Sequence, residues 1–159
     1  RLACAELAVA AAAWGQGTVV FNNRVDGQVV CHVYFGTYMA LWGNSPTETP
    51  PGTVNWAGFG LASGSEISAA LLAAPGADAP DSNLVPAQPV TTFRTGSAAG
   101  FVAMTTATFP NVPKDAPVAT VQMVAWENKR GHFNNWDQAR AAWQAGILRA
   151  GTSARFDVY

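Results

Sequence analysis

Val118-Ala119-Thr120-Val121-Gln122-Met123-Val124-Ala125-Trp126 is the stretch whose reading decides the fold. It is rich in β-branched residues, contains neither glycine nor proline, and follows the turn-forming Lys114-Asp115-Ala116-Pro117. Side chains alternate between the two faces of a strand. Val118, Thr120, Gln122 and Val124 therefore oppose Ala119, Val121, Met123 and Ala125. Both faces are at least partly apolar, which predicts a strand buried on both sides.

Working outward, shorter runs of the same texture recur between glycine and proline clusters. On the N-terminal side these are Thr18-Val19-Val20-Phe21, closed by an Asn22-Asn23 turn, and Val29-Val30-Cys31-His32-Val33-Tyr34-Phe35. The Asp26-Gly27 pair before the second run is a hairpin signal. Residues 43–60 form a loop, because Pro46, Pro50 and Pro51 remove donors and fix φ. Glu66-Ile67-Ser68-Ala69-Ala70-Leu71-Leu72-Ala73-Ala74 is ambiguous, since Ala and Leu favour helix. Its place between turn clusters favours a strand. Residues 77–87 read as loop, and short strands are expected at Val90-Thr91-Thr92-Phe93, Gly100-Phe101-Val102-Ala103-Met104 and Ala107-Thr108-Phe109.

Beyond Trp126, one interior helix is predicted. Asn134 or Asn135 can cap it, and Asp137 sits where the helix dipole favours negative charge. Trp136, Ala139, Arg140, Trp143 and Ile147 fall on one face, with Gly146 and Gly151 near its end. Ser153-Ala154-Arg155-Phe156-Asp157-Val158-Tyr159 alternates as a final strand. Short strands with turn clusters and one helix describe a mainly β fold, an Ig-like or jelly-roll-type β-sandwich. Residues 17–159 read as that single domain. Residues 1–16 form an apolar N-terminal segment ahead of it.

Composition narrows the function. The 159 residues carry ten acidic and nine basic side chains, a net charge of −1, and only 12% are charged, against roughly 25% in an average domain. No surplus of Lys and Arg exists to neutralise phosphates, so nucleic acid is excluded as a partner. The 49% hydrophobic content argues against disorder. No apolar run reaches the ~18 residues of a transmembrane span.

The segment Arg1-Leu2-Ala3-Cys4-Ala5-Glu6-Leu7-Ala8-Val9-Ala10-Ala11-Ala12-Ala13-Trp14-Gly15-Gln16 has two readings. A basic residue, an apolar stretch and small residues resemble a secretory signal, although Glu6 interrupts it. Alternatively it is a connector between subunits, with Leu2, Leu7, Val9 and Trp14 as the contacts. Cys4 and Cys31, the two cysteines, permit one disulfide, with two free thiols as the alternative.

Gly17-Thr18-Val19-Val20-Phe21-Asn22-Asn23-Arg24 resembles the GTVxFNNR opening of secreted hypothetical proteins of Verrucomicrobia and Planctomycetes, some of which carry a PEP-CTERM sorting tail. Phe93-Arg94-Thr95-Gly96-Ser97-Ala98-Ala99-Gly100-Phe101 is similar to that group's FRTGxxAGF segment. Phe109-Pro110-Asn111-Val112-Pro113, Ala119-Thr120-Val121-Gln122 and Ala125-Trp126-Glu127-Asn128 are similar to its PGV, ATVQ and AWDN stretches. The resemblance runs in order from Gly17 to Phe156. It implies export and a β-rich fold with no established enzymatic activity, and it implies that residues 1–16 are signal peptide.

Catalytic patterns are thin. Glu127, His132 and Asp137 lie at five-residue intervals, a spacing at which an acid–base pair can be imagined, but solvated loop side chains are the commoner meaning. Glu127-Asn128-Lys129-Arg130 reads as an exposed turn. Asp78, Asp81, Ser82 and Asn83 offer oxygen ligands without EF-hand spacing, and an Asx-rich turn explains them. No metal or cofactor is implied. Trp42 and Trp56 flank the Pro/Thr loop and are candidates for stacking on sugars. Thr47, Thr49 and Thr53 are candidates for O-linked sugars.

The expectation that follows is an exported, non-enzymatic β-sandwich, extracellular or at the cell surface. It would assemble with copies of itself into a filament or surface layer through the N-terminal segment and the sandwich edges. The alternative is a secreted carbohydrate-binding module using Trp42 and Trp56.

Overall fold

The computed structural model describes residues 16–36, 39–40 and 44–159. Its strands are β1 (Gln16–Phe21), β2 (Arg24–Val25), β3 (Val29–Val30), β4 (Tyr34–Phe35), β5 (Met39–Ala40), β6 (Gly60–Leu61), β7 (Ile67–Pro75), β8 (Val85–Pro86), β9 (Thr91–Thr92), β10 (Thr105–Pro113), β11 (Ala119–Glu127) and β12 (Ala150–Val158). One helix, α1 (Trp136–Gln144), lies between β11 and β12. All pairings between these strands are antiparallel. The fold is mainly β, with its helix in the C-terminal half, as the sequence pattern predicts.

β11 is the centre. It pairs with β12 on one side and with β7 on the other, where the register runs unbroken from Ala119↔Pro75 to Glu127↔Ile67. Eight of the nine residues of each of β7 and β11 are buried. The period of two divides them between two cores. Ile67, Ala69, Leu71, Ala73, Val121, Met123 and Ala125 pack with Phe21 of β1 and Ala107, Phe109 and Val112 of β10. Ala70, Leu72, Val124 and Trp126 pack with Trp136, Ala139 and Ala142 of α1 and with Leu148. The ambiguous run after Glu66 is therefore a strand: its alanines sit where sheet and helix approach closely on opposite sides.

A backbone bridge between Gln88 and Thr108 joins the end of the β8 segment to β10. The bridge thus ties the two-stranded β1–β10 sheet to the five-stranded sheet that runs β12, β11, β7, β8 with β9 also on β7, while β2–β3 and β5–β4–β6 form two smaller sheets.

Helix α1 starts as predicted. The Asn135 side chain accepts from Gln138 N–H at 3.0 Å, and Asp137 lies in the first turn. It ends at Gly146, whose φ is +71°. Gly146 N–H donates to the Trp143 carbonyl and Ile147 N–H to that of Ala142, the pattern of a Schellman stop.

Several boundaries differ from expectation. Residues 29–35 are two short strands, because Cys31 N–H and Val33 N–H donate to Asn23 and Gly100 respectively rather than to one neighbouring strand. The run from Gly100 to Met104 is no strand beyond a bridge between Phe93 and Val102. Gly100 takes φ +84°, and a Cβ there would lie 2.8 Å from the His32 ring, so a close approach interrupts the extended chain. The predicted helix face also shifts. Arg140, Trp143 and Ile147 are exposed, and Ala142 faces the core beside Trp136 and Ala139; the helix stops before Ile147, and Leu148 enters the core instead. The last strand begins at Ala150 rather than Ser153.

Candidate functional site

Among the described residues β1 pairs only with β10 and β12 only with β11, so each keeps one edge without a strand partner. Between them opens a cavity of about 380 Å³, walled by Val19 and Phe21 of β1, Leu71 of β7, Val121 and Met123 of β11, and Phe156 of β12. Ser153 Oγ accepts from Met123 N–H at 2.9 Å, at the point where the β11–β12 register shifts. The gap thus combines apolar walls with two unpaired strand edges. That combination can take up an extended peptide: backbone groups bond to the edges while alternate side chains fill the cleft.

One end of this groove is polar, formed by Asn23, Cys31, His32 and Asn44. Asn23 is buried and spans three backbone groups. Its Nδ2 donates to Cys31 O at 2.7 Å and Gly100 O at 2.9 Å, and its Oδ1 accepts from Val102 N–H at 2.9 Å. The chain bends at Asn23 between β1 and β2, and Asn23 also clamps two distant segments.

Behind His32 lies Glu48, a carboxylate buried in the Pro/Thr loop. Oε1 accepts from His32 N–H at 2.7 Å and lies 3.0 Å from His32 Nδ1, and Tyr34 OH donates to it at 3.3 Å. Oε2 accepts from Ser45 N–H at 2.5 Å. Burial works to raise the Glu48 pKa, but the Ser45 and His32 donors outweigh it and hold the carboxyl below its ordinary value. Burial pushes the Cys31 thiol up, against a lowering bond from Asn44. Cys31 Sγ donates to Thr49 O at 3.5 Å. A raised pKa keeps it a thiol rather than a reactive thiolate.

A second cavity, of about 440 Å³, lies beside the ends of β7 and β11 and is lined by Phe35, Leu61, Ser63, Glu66, Ile67, Glu127, Lys129, Arg130 and Arg149. Arg149 donates to Glu127 Oε1 and to the Gly36 carbonyl, and its guanidinium lies 3.8 Å from the Phe35 ring centroid. The bond from Arg149 leads in holding Glu127 down to about 2, against the opposing effect of burial. Lys129 Nζ is 3.3 Å from Glu127 Oε2, and Arg130 Nε is 3.3 Å from Glu66 Oε1. Glu127 and Asn128 are thus not part of an exposed turn. Asn128 is buried, donating to Ser65 O and Ser68 Oγ.

The other residues singled out by sequence are placed as follows. Leu2, Leu7, Val9, Trp14, Cys4 and Trp42 lie outside the described residues, and with Cys4 goes its pairing to Cys31. Trp56 is half-buried, stacked on Tyr34 with ring centroids 4.8 Å apart and in edge contact with Phe59 at 5.6 Å. Thr47 and Thr53 are exposed and Thr49 half-buried. Thr49 also pairs with Val30. Glu127 turns to Arg149, while His132 and Asp137 are exposed, so the structure does not gather the three into an acid–base set. Asp81 reaches Arg155 at 3.4 Å, and Asp78 N–H donates to Asp157. Among the described residues no group of three or more His, Cys, Asp or Glu is placed to hold a metal ion. Also among them, no helix is long and apolar enough to cross a membrane.

Sequence reading missed Glu48, His32 and Arg149. A lone carboxylate inside a Pro/Thr loop of a charge-poor chain was the available signal for Glu48, since a buried charge must find donors. Arg149 had none, because its partners lie far from it in sequence. No protein-family model matches the chain, and no curated protein or solved structure matches it.

Proposed function

We propose that this chain is an exported, non-enzymatic structural protein that assembles with copies of itself into an extracellular filament or surface layer. The observation that carries the reading is the groove between the unpaired edges of β1 and β12. Its occupant is the apolar N-terminal segment of a second copy, added as a strand beside these edges. Leu7 and Val9, two residues apart and therefore on one face of an extended strand, supply side chains for the cleft. Gln16 is already paired with Pro113 on the β10 side. A head-to-tail contact repeated without closure gives a filament.

Electron microscopy and sedimentation of the purified whole chain test this. Filaments or a ladder of oligomers are expected, and deletion of residues 1–15 is expected to leave a folded monomer. A monomeric whole chain would overturn the reading, as would undiminished assembly after the deletion.

A further inference from the structure

The turn after β11 is shaped for residues it does not contain. Lys129 and Arg130 take φ of +50° and +59°, followed by Gly131 at +85°. Side-chain-bearing residues avoid this left-handed region, and turns that need it twice in succession ordinarily use Asn and Gly. The strain persists because Asn128 over-determines the loop. Its Nδ2 donates to Ser65 O at 2.7 Å and Ser68 Oγ at 3.0 Å, and its Oδ1 accepts from Gly131 N–H at 3.2 Å. Strain held in place by its surroundings gathers at functional sites. Here it sets two adjacent cations on the wall of the 440 Å³ cavity.

The lining defines what would fit. Cations outnumber carboxylates: Lys129, Arg130 and Arg149 stand against Glu66 and Glu127. Arg149 is committed to Glu127, Gly36 and the Phe35 ring. The pairs made by Lys129 and Arg130 are at the surface, with the cations 45% and 87% exposed, and such pairs exchange readily for another anion. Leu61 and Ile67 add apolar wall, and the volume is that of a small-ligand site.

We propose that this cavity binds an acidic saccharide, a sugar bearing a carboxylate. Lys129 and Arg130 receive the carboxylate, while Glu66, Glu127 and Ser63 accept hydrogen bonds from ring hydroxyls. The acceptors are what favour a sugar over an acidic peptide. Glu66 and Glu127 find donors in the hydroxyls of a uronate, which a glutamate side chain lacks. The site is independent of the groove between β1 and β12.

Calorimetric titration of the whole chain with trimers of galacturonate, glucuronate and mannuronate tests the proposal, with maltotriose and triglutamate as comparators. At least one uronate trimer is expected to bind saturably and to weaken as salt rises. Maltotriose and triglutamate are expected to give no saturable heat. The double variant Lys129→Asn/Arg130→Gly suits the left-handed turn better, so its melting temperature should hold or rise while uronate affinity falls by about tenfold or more. A purely structural turn would gain stability with nothing lost. Absence of uronate binding, equal binding of triglutamate or maltotriose, or unchanged affinity in the double variant would each overturn the assignment.

Discussion

Gln88 and Thr108 exchange both backbone hydrogen bonds, Gln88 N–H donating to Thr108 O at 3.1 Å and Thr108 N–H to Gln88 O at 2.7 Å. This bridge links the β1–β10 pair to the larger sheet, while among the described residues β1 and β12 each keep an edge without a second strand partner. Thr108→Pro removes one donor and leaves the Gln88 carbonyl without it, a cost of about 1–3 kcal/mol. The expected result is a lower urea midpoint together with increased binding of a hydrophobic dye as the groove widens. An unchanged midpoint would mean that the seam contributes little.

Asn23 and Asn22 are neighbours with different consequences. Asn22 bonds only locally in its backbone contacts, to Arg24 O and Arg24 N–H, and Asn22→Ala should cost about 1 kcal/mol or less. Asn23 satisfies two carbonyls and one N–H that lie far apart in sequence. Asn23→Ala leaves all three without that partner, and a loss on the order of 2–4 kcal/mol is expected. Chemical denaturation of the two variants checks the ordering. Equal losses would reduce Asn23 to a turn former.

The pair of Glu127 and Arg149 makes stability depend on pH in a defined direction. The folded-state pKa of Glu127 is about 2, against an ordinary 4.5. A depressed carboxylate contributes stability that is fully present above the unfolded value and is lost as pH falls through the folded one. Stability should therefore decline between about pH 4.5 and 2, with Glu48, also shifted downward, adding to the decline. Glu127→Gln should be less stable at pH 7 and show a shallower fall across that window. Parallel pH curves for variant and parent would refute the coupling.

The sequence pattern reached as far as its periodicity carried information. β11 was legible because a period of two with both phases apolar has few other solutions, and α1 because Asn135 and Trp136 mark its start. Ile147 was misplaced because helical spacing was extended across Gly146, where a left-handed stop re-aims the chain. The backbone tie between the β1–β10 pair and the larger sheet was invisible, since it is made at Gln88, a residue with no pattern around it. Glu48 and Arg149 escaped for the same reason: their donors and acceptors, His32, Ser45, Gly36 and Glu127, converge only in three dimensions.

Phe156 offers the sharpest separation of folding from assembly. It lies on β12 opposite Val121, lines the groove and is 50% exposed, so the fold depends on it weakly. Phe156→Lys should cost about 1 kcal/mol or less of stability in urea denaturation and leave the circular dichroism spectrum intact. A strand entering the groove would then have to bury an ammonium without a partner, which is strongly unfavourable. Loss of filaments with a retained fold is expected by electron microscopy and sedimentation. Trp143→Lys is the matched control. Trp143 is also partly exposed but sits on α1, away from the groove, and its replacement should leave assembly unchanged. If both variants polymerise like the parent, strand addition between β1 and β12 is not the contact that joins the copies.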